Sequence, residues 1–323
     1  YVNGNDHGNY RTNYMDNMDV FALLVPLTFD GVKVTPWAMY SAIGPNTFRG
    51  AGYNNYYGNI SGTSNKYPTA GMVPVGGALH KDGTASTKAM GTYGNAVWAG
   101  LTGEVTAFDP FRIAWDFNYG SVSYADTRAN RAGWLGSLLF EYKLDWAIPG
   151  LVMWYASGDD GNPSNGSERM PSIAAAGNFT SFMGDGNYGW LRQDYGVDYA
   201  GTWGIGAQLK DMSFLEDLKH TFRIAYWGGT NSTSMVKYMA SATSWAAGYG
   251  ENTSPYLTTN DGLVEFNLVN SYKIYENLEM NLELDYVINC MDNSTWKKAN
   301  GGNGGSFSKQ DMWKAQVVFA YSF

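Results

Sequence analysis

The residues of this chain that could do chemistry are charged ones, spaced two apart on segments where polar and apolar residues alternate. Glu104, Arg112, Asp116, Glu141, Lys143, Asp145, Asp198, Lys210, Arg223, Glu265, Lys273, Glu279, Glu283, Asp285 and Lys314 fall on the polar side of such segments. These are nine acids and six bases. A mixed, slightly acidic wall of this kind suits an aqueous pore with a weak preference for cations. The cluster Glu279, Glu283 and Asp285 on one strand, with Glu141 and Asp145 elsewhere, argues most for that preference. The plainer use of the same residues is to pair with one another and keep an interior wet. Bond-making chemistry lacks its residues. His7, His80 and His220 are scattered, and there is no HExxH, GxSxG or P-loop. Cys290 stands alone, which excludes an intramolecular disulfide and any Cys-based metal or haem site. No enzyme activity, metal or cofactor is expected.

Two long polar stretches compete to narrow such a pore. The stretch 44–92 is rich in Gly and carries Arg49, Lys66, Lys81 and Lys88. Folded inward, it would set basic residues across from acidic ones; it could equally cap the outside or latch subunits together. The stretch 158–197 holds Asp159-Asp160-Gly161-Asn162, then Glu168, Asp185 and Asp194. Clustered oxygens can hold Ca²⁺, but EF-hand spacing is absent, and a solvated acidic loop is the expectation. Trp98 and Trp227 fall on inward positions, where they could stack on a sugar or pack against an infolded loop.

The elements that position these residues read as strands. Consecutive side chains of a strand point to opposite faces. Phe111, Ile113, Trp115, Phe117 and Tyr119 share one face, and Arg112, Ala114, Asp116 and Asn118 the other. Eleven such segments are expected, near 20–29, 32–43, 95–108, 111–119, 133–146, 151–157, 198–210, 220–230, 261–275, 279–288 and 311–323. Their connections alternate between short and long, as in outer-membrane barrels. Trp134 and Trp146, read as one strand, lie twelve residues apart on one face. At ~3.3 Å per residue and ~40° tilt that spans about 30 Å, close to an apolar band with its aromatic girdles. Ser213-Phe214-Leu215-Glu216 matches a capping box and predicts a helical turn over 213–218.

Composition supports the same class. The 323 residues include 40 Gly and 51 aromatics, and only 15% are charged, against ~25% in an average soluble domain. No run approaches the ~18–20 apolar residues of a membrane helix. A net charge of −8 argues against a nucleic-acid partner.

The run from Leu209 to Asn231, LKDMSFLEDLKHTFRIAYWGGTN, with the last strand ending on Phe323, resembles the Desulfovibrio-type homotrimeric porins of the outer membrane. The resemblance implies a trimer of transmembrane antiparallel β-barrels with short periplasmic turns and long extracellular loops. Each barrel would sit in outer-membrane lipid and lipopolysaccharide and pass ions and small hydrophilic solutes passively. Residues 1–323 are expected to be a single barrel domain of 12 or more strands, 14–16 in the complete protein. At least one upward strand is expected before Tyr1, with residues 1–18 the tail of an external loop. The competing readings are a channel selective for a sugar or organic acid, and a barrel that only anchors adhesive loops.

Overall fold

The computed structural model describes residues 2–3, 17–43, 70–74, 78–84, 94–173, 179–181, 199–241, 244–245, 256–297 and 309–323. They form β1 (Val2–Asn3), β2 (Asn17–Leu24), β3 (Leu27–Phe29), β4 (Val32–Ile43), β5 (Gly94–Val105), β6 (Phe111–Ser123), β7 (Arg131–Tyr142) and β8 (Ile148–Ala156). Then follow β9 (Thr202–Leu215), β10 (Leu218–Gly229), β11 (Met239–Ser241), β12 (Ser244–Trp245), β13 (Gly262–Tyr275), β14 (Leu278–Asn289) and β15 (Met312–Tyr321). Among the described residues helix is limited to short turns and the five residues Asn293–Lys297.

One antiparallel sheet runs in the order β1-β2-β4-β5-β6-β7-β8-β9-β10-β13-β14-β15, with β3 beside β4. β2 and β3 keep one register against β4, with Leu23 opposite Ala38 and Leu27 opposite Val34. Pro26 has no N–H to donate and interrupts what is otherwise a single strand. The thirteen segments therefore make twelve strands. The sheet is open: among the described residues no ladder joins β15 to β1 or β2. β11 and β12 form a separate small hairpin.

Connections alternate in length, so one end of the sheet carries turns and the other carries loops. The turns lie at 30–31, 106–110, 143–147, 216–217 and 276–277, and the loops at 44–93, 124–130, 157–201, 230–261 and 290–311. At the first turn Gly31 has φ +65°, and a Cβ there would lie 2.7 Å from Ala107. The helical turn expected over 213–218 does not form. β9 continues to Leu215, the Ser213 hydroxyl donates to the Leu215 carbonyl, and Asp217 takes φ +63° in a two-residue turn. The hairpin ladder satisfies the backbone there, so no capped helix is needed. β7 likewise stops at Tyr142, four residues short of Trp146, which lies in the turn and stacks on Phe214.

Alternation gives the sheet two unlike faces. The bare face presents Phe111, Phe117 and Tyr119 of β6, Trp134, Phe140 and Tyr142 of β7, and Trp313, Val317, Phe319 and Tyr321 of β15, all exposed. The other face is polar and covered by loop residues. Two apolar clusters lie there beneath the loops, one around Trp154, Trp227 and Leu257, the other around Met72, Trp98 and Val122.

Candidate functional site

A single polar rung crosses the covered face. Arg112, Glu141, Gly150, Gln208, Arg223, Asn267, Asp285 and Lys314 stand each directly opposite the next, from β6 to β15. Side chains extend the rung at both ends. Lys33 Nζ donates to Glu104 Oε1 at 3.0 Å, Arg112 Nε to Glu104 Oε2 at 3.0 Å, and Arg112 Nη1 to Glu141 Oε2 at 2.7 Å. Gln208 Nε2 reaches Glu141 Oε1 at 2.9 Å across β8. Gly150 lies between them, and a Cβ there would sit 3.1 Å from Gln208 Nε2. At the far end Lys314 Nζ pairs with Asp285 at 3.2 Å and with Glu283, whose other oxygen takes Gln316 Nε2 at 3.1 Å.

Residues 179–181, between β8 and β9, enter this face. Ser181 N donates to Asn267 Oδ1 at 3.1 Å, and Lys314 Nζ donates to the Ser181 carbonyl at 2.6 Å. Phe179 fills the space where a Cβ on Gly206 would stand, 2.5 Å away. Nearer the loop end, segment 167–173 is fastened to β5 and β7. Trp98 Nε1 donates to the Pro171 carbonyl at 2.8 Å. The buried Arg131 donates to the carbonyls of Arg169, Met170 and Val73 at 3.0, 2.7 and 3.3 Å, so it ties both long loops to one strand.

A second network joins the loops to one another. Asp159, only 5% exposed, accepts from the Ser167 hydroxyl and from the Tyr256 hydroxyl at 2.6 Å. Burial, reinforced by Asp159, pushes the Tyr256 hydroxyl well above its ordinary range, so it remains a donor. Asn231 Nδ2 donates to the carbonyls of Gly201 and Leu257, and Trp296 Nε1 to Asp261. Burial also raises the Glu168 carboxyl, with Asp160 and Asp159 nearby adding repulsion.

Several expected positions change. Lys143 and Asp145 lie exposed in the 143–147 turn, because β7 ends before them, so neither stands on the wall. Lys81 is exposed at the loop end, where its carbonyl receives the Tyr238 hydroxyl at 3.5 Å; it does not face the acids of the rung. Arg49, Lys66, Lys88 and Asp198 lie outside the described residues, as do Asp185 and Asp194. Asp159 is buried rather than solvated, and among the described residues no group of three acids, His or Cys is placed to hold a metal. Trp98 is buried under Pro171, and Trp227 is stacked on Tyr199 at 5.2 Å, so both rings pack against infolded loop. Glu104, Arg112, Asp116, Glu141, Lys210, Arg223, Glu265, Glu283, Asp285 and Lys314 do share the covered face, and Lys273 stands opposite Glu279 near the turns. Missing from the sequence reading were Lys33, Arg131, Gln208, Asn267, Thr180 and Ser181. For the amides a signal existed, since Gln208 and Asn267 alternate with apolar neighbours like the charged residues do.

Comparison with protein-family models and with curated proteins finds no match.

Proposed function

We propose that this chain is a transmembrane β-barrel porin of a Gram-negative outer membrane. It would pass ions and small hydrophilic solutes passively, as a homotrimer in lipid and lipopolysaccharide. The observation that carries this reading is the contrast between the two faces. Among the described residues thirty-seven large hydrophobic side chains are exposed. Each aliphatic or Phe side chain left in water forfeits about 1.5–3 kcal/mol relative to burial, so such a face belongs against an apolar medium. Aromatics mark its two borders eight residues apart, Tyr119 to Phe111 on β6, Trp134 to Tyr142 on β7 and Trp313 to Tyr321 on β15. Eight residues span ~26 Å along a strand and about 20 Å in height at ~40° tilt, comparable to a barrel's ~25 Å apolar band. This spacing replaces the twelve residues counted from Trp134 to Trp146. Neighbouring rings touch along the loop-end border, Trp134 on Tyr155 and Trp203 near Tyr226.

The polar rung and the Phe179–Ser181 segment would then form the constriction. Its acids Glu265, Glu283 and Asp285 against Lys314 and Arg223 support a mild cation preference. The test is single-channel conductance of purified protein in a planar bilayer under a salt gradient. Large steps closing in threes, with a reversal potential favouring cations, are expected. Correctly folded protein that conducts little would overturn the reading in favour of a plugged or anchoring barrel.

A further inference from the structure

Resting on the pore reading, we propose that the covered face holds a recognition site for small zwitterions, built from the Arg223 guanidinium and the Glu283–Asp285 pair. Arg223 is 9% exposed, and its one hydrogen bond runs from Nε to Gln208 Oε1 at a long 3.5 Å. Among the described residues neither terminal nitrogen has a partner. Three acceptor groups near it already hold other donors. Asn267 Oδ1 receives Ser181 N, Asp285 Oδ1 receives Asn267 Nδ2, and Glu265 receives Asn267 Nδ2 and Trp227 Nε1. A planar fork of donors that is nine-tenths buried and left unbonded fits a carboxylate, which it can grip with two parallel bonds.

The other half of the site is electron-rich. Among the described residues Glu283 Oε1 and Asp285 Oδ2 accept no hydrogen bond and share one ammonium, that of Lys314. Beside them the hydroxyls of Thr180 and Ser181, 0% and 1% exposed, have no partner among the described residues, although the Ser181 backbone is bonded to both Asn267 and Lys314. Three carboxylates, Glu265, Glu283 and Asp285, face two cations. A solute carrying only a carboxylate meets those acids, and one carrying only an ammonium meets Arg223 and Lys314. A zwitterion places its carboxylate on Arg223 and its ammonium on the Glu283–Asp285 pair, and the hydroxyls can donate or accept at either end.

The test is uptake into proteoliposomes of four probes of similar size: glycylglycine, anionic acetylglycine, cationic glycylglycinamide and neutral acetylglycinamide. Glycylglycine is expected to enter fastest and to saturate. Arg223→Gln should lower its rate about tenfold, toward that of the neutral probe, the scale of one lost charge-assisted fork. Glu283→Gln should do the same. Rates ordered by size alone, acetylglycine favoured over glycylglycine, or an Arg223→Gln protein with wild-type rates would each overturn the site. Should Arg223→Gln fail to insert, Arg223→Lys keeps the charge without the fork and should still slow glycylglycine; wild-type uptake there overturns the site. KCl conductance of the same preparations separates the two ideas. A wild-type protein that does not conduct refutes the pore, whereas a conducting pore with size-ordered uptake refutes only the site.

Discussion

Replacing Arg131 by Met should loosen the two long loops while leaving the sheet paired. The guanidinium is 2% exposed and donates to three backbone carbonyls, those of Arg169, Met170 and Val73. Met fills similar space and donates nothing, so three buried acceptors lose their partner. At ~1–3 kcal/mol for each unsatisfied group the loss is about 3–9 kcal/mol. Removing a buried charge offsets several kcal/mol of that, leaving a net cost of roughly 2–5 kcal/mol for docking of the loops. With 1.4 kcal/mol per factor of ten, amide exchange in the docked segment should accelerate about thirtyfold to a few thousandfold. The reporters are Ser172 N, bonded to the Gly71 carbonyl at 3.0 Å, and Ser167 N, bonded to the Asn130 carbonyl at 2.9 Å. Amides in the β6–β7 ladder, such as that opposite the Asp116–Ser137 pair, serve as the internal standard. Hydrogen exchange read by mass spectrometry decides it. Unchanged exchange at Ser172, or equal acceleration in the β6–β7 ladder, would refute the assignment of Arg131 as a clasp on the loops.

Three further outcomes are expected. A Cβ on Gly204 would lie 2.1 Å from the Trp154 ring, so Gly204→Ala must displace that indole from its contact with Trp227 and should cost about 1–3 kcal/mol in urea unfolding followed by tryptophan fluorescence. Burial raises the Glu168 carboxyl above its ordinary 4.5, so the folded loop binds that proton more tightly than the unfolded one does. Its contribution is therefore fully present below the unfolded value and is lost as pH climbs through the raised one; loop protection should fall over that window in wild type and stay flat in Glu168→Gln. Leu138 and Ser137 are neighbours on opposite faces of β7, so Leu138→Arg should weaken folding into bilayers by ~2–4 kcal/mol while Ser137→Arg should be tolerated, and equal effects would overturn the face assignment.

The faces were legible in the sequence because a strand's period is two, and each run needs only its own residues to be read. Phe111 to Tyr119 and Trp313 to Tyr321 lie on the bare face as alternation predicts. Strand ends were less legible. Lys143 to Trp146 continue the alternation of β7, but the chain has already turned there, since Leu144 N bonds the Ala147 carbonyl at 2.9 Å. Pairing decides where a strand stops, and pairing is non-local. The capping box at Ser213 misled for the same reason, because a four-residue signal carries no information about the ladder that competes with it. Least legible were the contacts between distant segments. That Arg131 would grip Val73 and Met170, or that Ser181 would reach Asn267 and Lys314, depends on how loops fold over a sheet rather than on any local pattern.

The rung itself shows what the register adds to a list of charged residues. It begins at Arg112, the second residue of β6 beside the turns, and ends at Lys314, the third residue of β15 beside the loops. Past Arg112 its side chains are mostly covered, with Lys314 at the end 19% exposed. Lys33 is 65% exposed, Arg112 40%, Glu141 7% and Asp285 0%. Lys33 and Arg112, near the turns, are therefore the most open to water, where ion pairs contribute little to stability and are screened by salt. The charges near the loops lie beneath Phe179–Ser181, where each charge acts over a longer range. If the sheet encloses a pore, discrimination among solutes should accordingly reside in Arg223, Glu283, Asp285 and Lys314 rather than in Lys33, Glu104 and Arg112. Neutralising Lys33 should leave ion selectivity near wild type, and neutralising Asp285 should shift the reversal potential toward anions. The reverse ranking would mean that the narrow point lies at the turn end and that the infolded loop is not the filter.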